Sequence, residues 1–146
     1  MHMRLHSFFG NFFKAGSSSL SEFERAVSAS VLRALSPIEE QKLSKRIGDI
    51  NLVQRLDGGR EVNCYAMHGG NAIFPDETRL DTTSGERLLA KLEIKGPPGT
   101  ENSCSVWLID GNFFAIEFKL PTEHANALAI ANIQSNIYSM ESAPPK

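Results

Sequence analysis

Apolar positions recur first at a helical period and then at a period of two, and the change falls near residue 50. Leu5, Phe8, Phe9, Phe12 and Phe13 stand at i, i+3, i+4, i+7 and i+8, which predicts a short amphipathic helix over residues 4–15. Gly16 and three serines end it. A second stripe runs through Leu20, Phe23, Val27, Val31 and Leu35, with Ser19 and Glu22 spaced as a capping box at its start. Ser36-Pro37-Ile38-Glu39 opens another helix with a cap residue, a proline at the first helical position and a glutamate at the third. Ile38, Leu43 and Ile47 form its apolar side, and Glu39, Glu40, Lys42, Lys45 and Arg46 read as a solvated face. Gly48 ends it.

From Ile50 the pattern alternates. Residues 50–56 predict a strand, Asp57-Gly58-Gly59 a tight turn with left-handed backbone angles, and residues 60–67 a returning strand. Residues 71–86, with Pro75, Asp76, Thr82, Thr83 and Gly85, lack periodicity and read as a long loop, a type of segment that often carries function. Arg87 to Lys95 alternates cleanly, with Leu88, Ala90, Leu92 and Ile94 on one side and charges on the other. Residues 103–109 and 112–120 form a hairpin about Asp110-Gly111. Counting back from that turn pairs Ile109 with Asn112, Trp107 with Phe114, Leu108 with Phe113 and Cys104 with Glu117. Both faces of this hairpin are rich in apolar side chains, which places it centrally in the sheet. Residues 125–140 carry Leu128, Ile133 and Ile137 at helical spacing and predict a final helix; residues 141–146 predict a frayed tail.

The expected fold is therefore α+β: N-terminal helices packed on a mainly antiparallel sheet of about four to five strands, with a C-terminal helix. A chain of 146 residues suits one domain, with residues 1–16 an amphipathic N-terminal segment. In outline this resembles many small bacterial proteins, immunity proteins of toxin systems among them.

Composition narrows the functional classes. A net charge of -2 opposes sequence-independent nucleic-acid binding, which needs a basic surplus. No apolar run is long enough to span a bilayer, and the N-terminus lacks a signal-peptide pattern, so the expected location is cytoplasmic. Two cysteines, Cys64 and Cys104, fall within strands and read as buried thiols in a reducing compartment.

Candidate chemistry is sparse. Gly96-Pro97-Pro98-Gly99-Thr100 resembles the opening of the phosphate-binding loop of AAA-type ATPases over five residues, but Glu101, Asn102 and Ser103 stand where Gly, Lys and a hydroxyl residue are needed. A helix should also follow, and a strand does. Cys64 and His68 share a strand face but stand roughly 13 Å apart along it, too far for shared chemistry. Neighbouring Glu123 and His124 cannot face each other on a helix. Glu117 interrupts an apolar strand and needs a partner such as Lys91 or Lys95.

These observations predict no catalytic, cofactor or metal site. They predict a non-enzymatic protein-interaction module, engaging a protein partner or a second copy of itself. Its expected surface comprises Phe8, Phe12, Trp107, Phe113 and Glu117. The alternative is a small-ligand pocket between helices and sheet, closed by residues 71–86, with Glu117, His68 and Asp76 as its polar groups.

Overall fold

A computed structural model describes residues 16–95 and 101–123, together with the backbone of 132–137. Two helices come first, α1 (Glu22–Arg33) and α2 (Pro37–Asp49). Both begin with a complete capping box. In α2 it joins Ser36 and Glu39, as the sequence predicts. In α1 it joins Ser21 and Glu24, two residues later than the Ser19–Glu22 spacing predicts. The later start lets Glu24 serve the cap and a second partner at once, described below.

The strands follow as β1 (Leu52–Leu56), β2 (Glu61–Tyr65), β3 (Met67–His68), β4 (Asn71–Ala72), β5 (Glu86–Lys95), β6 (Asn102–Ile109), β7 (Asn112–Phe118) and β8 (Asn132–Ile137). Six of them form one antiparallel sheet in the order β1-β2-β7-β6-β5-β8, and β3 pairs with β4 in a small hairpin. The β6–β7 hairpin is central, as expected.

Residues 132–137 are a strand where a C-terminal helix was expected. The spacing of Ile133 and Ile137 fits either element, because four residues is both one helical turn and an even strand step. The full stretch Asn-Ile-Gln-Ser-Asn-Ile alternates, and Ile133 and Ile137 stand in register with Ile94 and Ala90 of β5. Its residue types also favour a strand over a helix. The remainder of the expected helix, the tail and residues 1–15 lie outside the described residues.

The two helices cover one face of the sheet. Phe23, Val27, Val31 and Leu43 pack there on Val53, Val62, Leu92, Ile94, Val106, Ile116 and Phe118. Phe23 and Phe118 stack with ring centroids 5.5 Å apart. Each such side chain contributes about 1.5–3 kcal/mol by leaving water. Ile38 lies outside this core at 68% exposure, so the apolar side of α2 is shorter than its spacing predicts. Arg46, expected on the solvated face, is 1% exposed.

On the opposite face, Tyr65, Ile109, Phe114 and Ala115 form a second cluster, covered by Met67, Ala72 and Phe74 from and beside the β3–β4 hairpin. Tyr65 and Phe114 meet edge to face at 5.2 Å. The β6–β7 pairing makes both clusters possible. A bulge at Phe114 leaves Leu108 opposite Phe113 but puts Trp107 opposite Ala115 and Cys104 opposite Phe118. Phe113 then enters the helix-side core while Phe114 enters the second cluster. Counting without the bulge assigns Trp107 to Phe114 and Glu117 to Cys104, and the one-residue slip exchanges the faces of everything beyond it.

Residues 73–87 are stitched down. Arg46 Nε donates to the carbonyl of Phe113 (3.0 Å) and Nη1 to that of Ile73 (2.9 Å), with the guanidinium over the Phe74 ring. Buried Thr78 donates to Asn112 Oδ1 (2.5 Å), and Asn112 Nδ2 to the carbonyl of Pro75 (2.9 Å). Leu80 bonds to Gly111, Gly85 bonds to Asp110, and Arg87 lies 3.1 Å from Asp81.

Candidate functional site

The bulge decides which side chains occupy the face away from the helices. Beyond the second cluster, cross-strand register builds two polar rows there. One runs Lys91, Ser105, Glu117, Glu61 across β5, β6, β7 and β2. The other pairs Glu93 with Ser103. Trp107 stands between these rows and the aromatic cluster, opposite Leu88 and Ala115. Lys91 and Glu93 are exposed, and Ser103, Ser105, Trp107 and Glu117 are half-buried. A shallow concavity of about 480 Å³ spans Arg60, Lys91, Ser103, Ser105, Glu117 and Lys119. A second, of about 560 Å³, continues along Lys95, Glu101 and exposed Leu120. The surface therefore combines one indole, two hydroxyls and charges of both signs.

Glu117 belongs here and not in the core. Its Oε1 accepts a hydrogen bond from Trp107 Nε1 at 3.2 Å, which holds the indole edge toward the polar rows. Lys91, its expected partner, stands two strands away with Ser105 between. At about 4.8 Å per strand that separates the two backbones by roughly 10 Å.

The structure brings together two of the five expected surface residues, Trp107 and Glu117. Phe113 is 2% exposed and packs in the helix-side core, so it supplies no surface. Phe8 and Phe12 lie outside the described residues.

The three polar groups of the ligand-pocket reading do not converge. His68 is exposed on the β3–β4 hairpin. Asp76 pairs with Arg79 at 3.3 Å with its carboxylate 92% exposed. Glu117 lies half-buried beside Trp107 on the sheet face away from the helices. Cys64 and Cys104 are buried free thiols; burial pushes the Cys104 thiol up to about 12 and the Cys64 thiol further up, which leaves both protonated and unreactive. Among the described residues no three of His, Cys, Asp and Glu are grouped to hold a metal ion. Residues 96–100 lie outside the described set, but β6 begins at Asn102, so no helix follows them to receive a phosphate.

A further concavity of about 570 Å³ lies beside the start of α1, along Ser21, Glu24, Arg55, Gly59, Thr122 and Glu123. Its chief charges satisfy each other. Glu24 Oε1 accepts from Arg55 Nη2 (2.6 Å) and from the Ser21 amide (2.8 Å), and Oε2 accepts from Arg55 Nε (2.7 Å). Arg55 also donates to Ser17 Oγ and the Ser19 carbonyl. That hydrogen bonding to Glu24 raises the Arg55 pKa. The cluster fastens Ser17 against β1, where Ser17 and Val53 exchange two backbone hydrogen bonds of 3.0 and 2.7 Å. Sequence reasoning missed this cluster because residues 24 and 55 meet only in the fold. Spacing gave no signal for it, because alternation sets Arg55 with Asn51 opposite Ile50, Leu52 and Leu56.

No protein family, curated protein or solved structure matches the chain. The functional reading thus rests on the geometry of its surfaces. Among the described residues no helix is long and apolar enough to cross a membrane.

Proposed function

We propose that the chain is a non-enzymatic protein-interaction module, and that its open sheet face around Trp107, Glu117, Ser105 and Lys91 is the docking surface. One observation carries the reading: the sole tryptophan stands half-buried on the sheet face away from the helices, its indole nitrogen bonded to Glu117 and rows of serines and charged residues beside it. A half-exposed aromatic ringed by polar groups is the usual form of an interface anchor, since it supplies large contact area with few torsions to freeze. The mixed charge of Lys91, Glu93, Glu117 and Lys119 suits a polar rim on a folded protein partner. The small-ligand alternative has less support, because Glu117, His68 and Asp76 point to different parts of the surface.

The test is capture from native cell extract by the immobilised chain, with mass spectrometry, beside the double variant Trp107→Ser/Lys91→Glu. A protein retained by the native chain and lost by the variant supports the reading, provided the variant unfolds at the same urea midpoint. Equal retention of every protein by both refutes it.

A further inference from the structure

The two edges of the sheet are treated differently. At β1 the edge is closed by the chain itself, through the paired backbone bonds of Ser17 and Val53 and the Arg55 clamp that holds Ser17 in place. At β8 the described residues show pairing on one side only, to β5. An unpaired edge is usually protected by charge, proline, a bulge or a covering helix or loop. Residues 132–137 read Asn-Ile-Gln-Ser-Asn-Ile and contain no charge, proline or glycine, and their six residues stay in unbroken register with β5.

We infer that β8 pairs antiparallel with β8 of a second copy, joining two six-stranded sheets into one across a two-fold axis. The strand is self-complementary in the way a two-fold requires. An axis through Ser135 sets position 133 against 137 and position 134 against 136, so isoleucine meets isoleucine and amide meets amide. Even-numbered register preserves the faces. Positions 133 and 137 lie in rows with buried Ile94 and Ala90, and positions 132, 134 and 136 in rows with Lys95, Glu93 and Lys91. The helix-side core and the open polar face would each run unbroken from one copy into the other. A foreign strand would have to bring the same alternation; the second copy has it by identity. This inference adds a named surface to the interaction reading above and is tested apart from it, since Trp107 and Lys91 stay intact.

The experiment is sedimentation velocity of the full chain and of two double variants. The first, Gln134→Lys/Asn136→Lys, puts lysine against lysine twice across the axis. The second, Gln134→Lys/Asn136→Glu, puts lysine against glutamate twice, and the shared Gln134→Lys makes each a control for the other's folding. The native chain is expected to be dimeric at about 100 µM, a concentration that populates a complex of micromolar affinity. Lysine against lysine is expected to raise the dissociation constant at least about tenfold over lysine against glutamate, because two cross-strand pairs change sign together. A native chain that is monomeric at that concentration overturns the inference. So do three proteins of equal affinity, which would place any dimer contact elsewhere. Capture of a partner through Trp107 alongside a monomeric native chain would leave the interaction reading standing and remove only the β8 contact.

Discussion

Two glycines and two thiols show how single residues set local structure. The β6–β7 turn holds Asp110 at φ 50° and Gly111 at φ 80°, the left-handed pair a two-residue hairpin needs. A Cβ at position 111 would also run into the carbonyl of Asp81, which belongs to the stitched loop. Gly111→Ala is therefore expected to cost about 1–3 kcal/mol from backbone angle alone, read as a lower urea midpoint. Gly16 differs. Its Cβ would stand 2.7 Å from the Val53 carbonyl, so it is the close approach to β1 that calls for glycine there. The thiols predict a pH effect. Unfolded Cys104 loses its proton near the ordinary value of 9.0, and burial delays that loss to about 12 in the fold. A raised native pKa means stability is intact below 9 and falls as pH climbs toward 12. Cys104→Ala is expected to lessen that fall by about 1.4 kcal/mol per pH unit inside the window. Urea midpoints at pH 8 and above, native against variant, measure it.

Elements were legible where one periodicity ruled. α2, residues 90–95 of β5 and the Asp110-Gly111 turn follow from spacing and turn residues; earlier in β5 an irregularity at Leu89 puts Leu89 in the core and sets Leu88, expected there, opposite Trp107. The capping box of α1 was displaced because Ser19 and Ser21 both have a glutamate three residues on, and only the contact of Glu24 with Arg55 decides between them. The register of β6 and β7 was misread because the consecutive residues Phe114 and Ala115 are buried on the same side, which a bulge permits and plain alternation does not. β8 was misread because Ile133 and Ile137 satisfy two periods at once. Residues 71–86 looked like a functional loop because they lack periodicity; their order comes instead from Arg46 and Asn112, partners far away in sequence that hold Ile73, Pro75 and Thr78. Burial lowers the Arg46 pKa to about 10, a sign of how little water reaches it. Arg46→Ala is expected to destabilise by about 2–4 kcal/mol, since it opens a cavity and strands two carbonyls. The loss should be concentrated in residues 73–80. Hydrogen exchange checks this: amides of that loop should lose protection while those of β1 and β2 keep theirs.

At the scale of the molecule, the layered α+β arrangement could be read from the switch of period near residue 50, and the proposed docking face could not. Trp107 and Glu117 stood out in the sequence as an aromatic and a misplaced carboxylate, but the bulge is what brings Glu117 to the face that Trp107 occupies. Phe113, an equal candidate by composition, precedes the bulge and faces inward with its partner Leu108. Faces are a property of register, and register depends on packing contacts that sequence spacing does not contain. Among the described residues the two sides of the sheet therefore differ: helices cover one, and the other carries an indole among hydroxyls and charges.

Trp107 is the only tryptophan in the chain, so one label reports on that face. The decisive measurement is the fluorine NMR spectrum of the protein carrying 5-fluorotryptophan, taken before and after addition of the protein captured in the pull-down described above. The account predicts a single resonance that shifts on saturation and becomes shielded from a soluble paramagnetic agent. A resonance that keeps its position and its solvent accessibility in the complex would show that the partner sits elsewhere and contradict the assignment of this face.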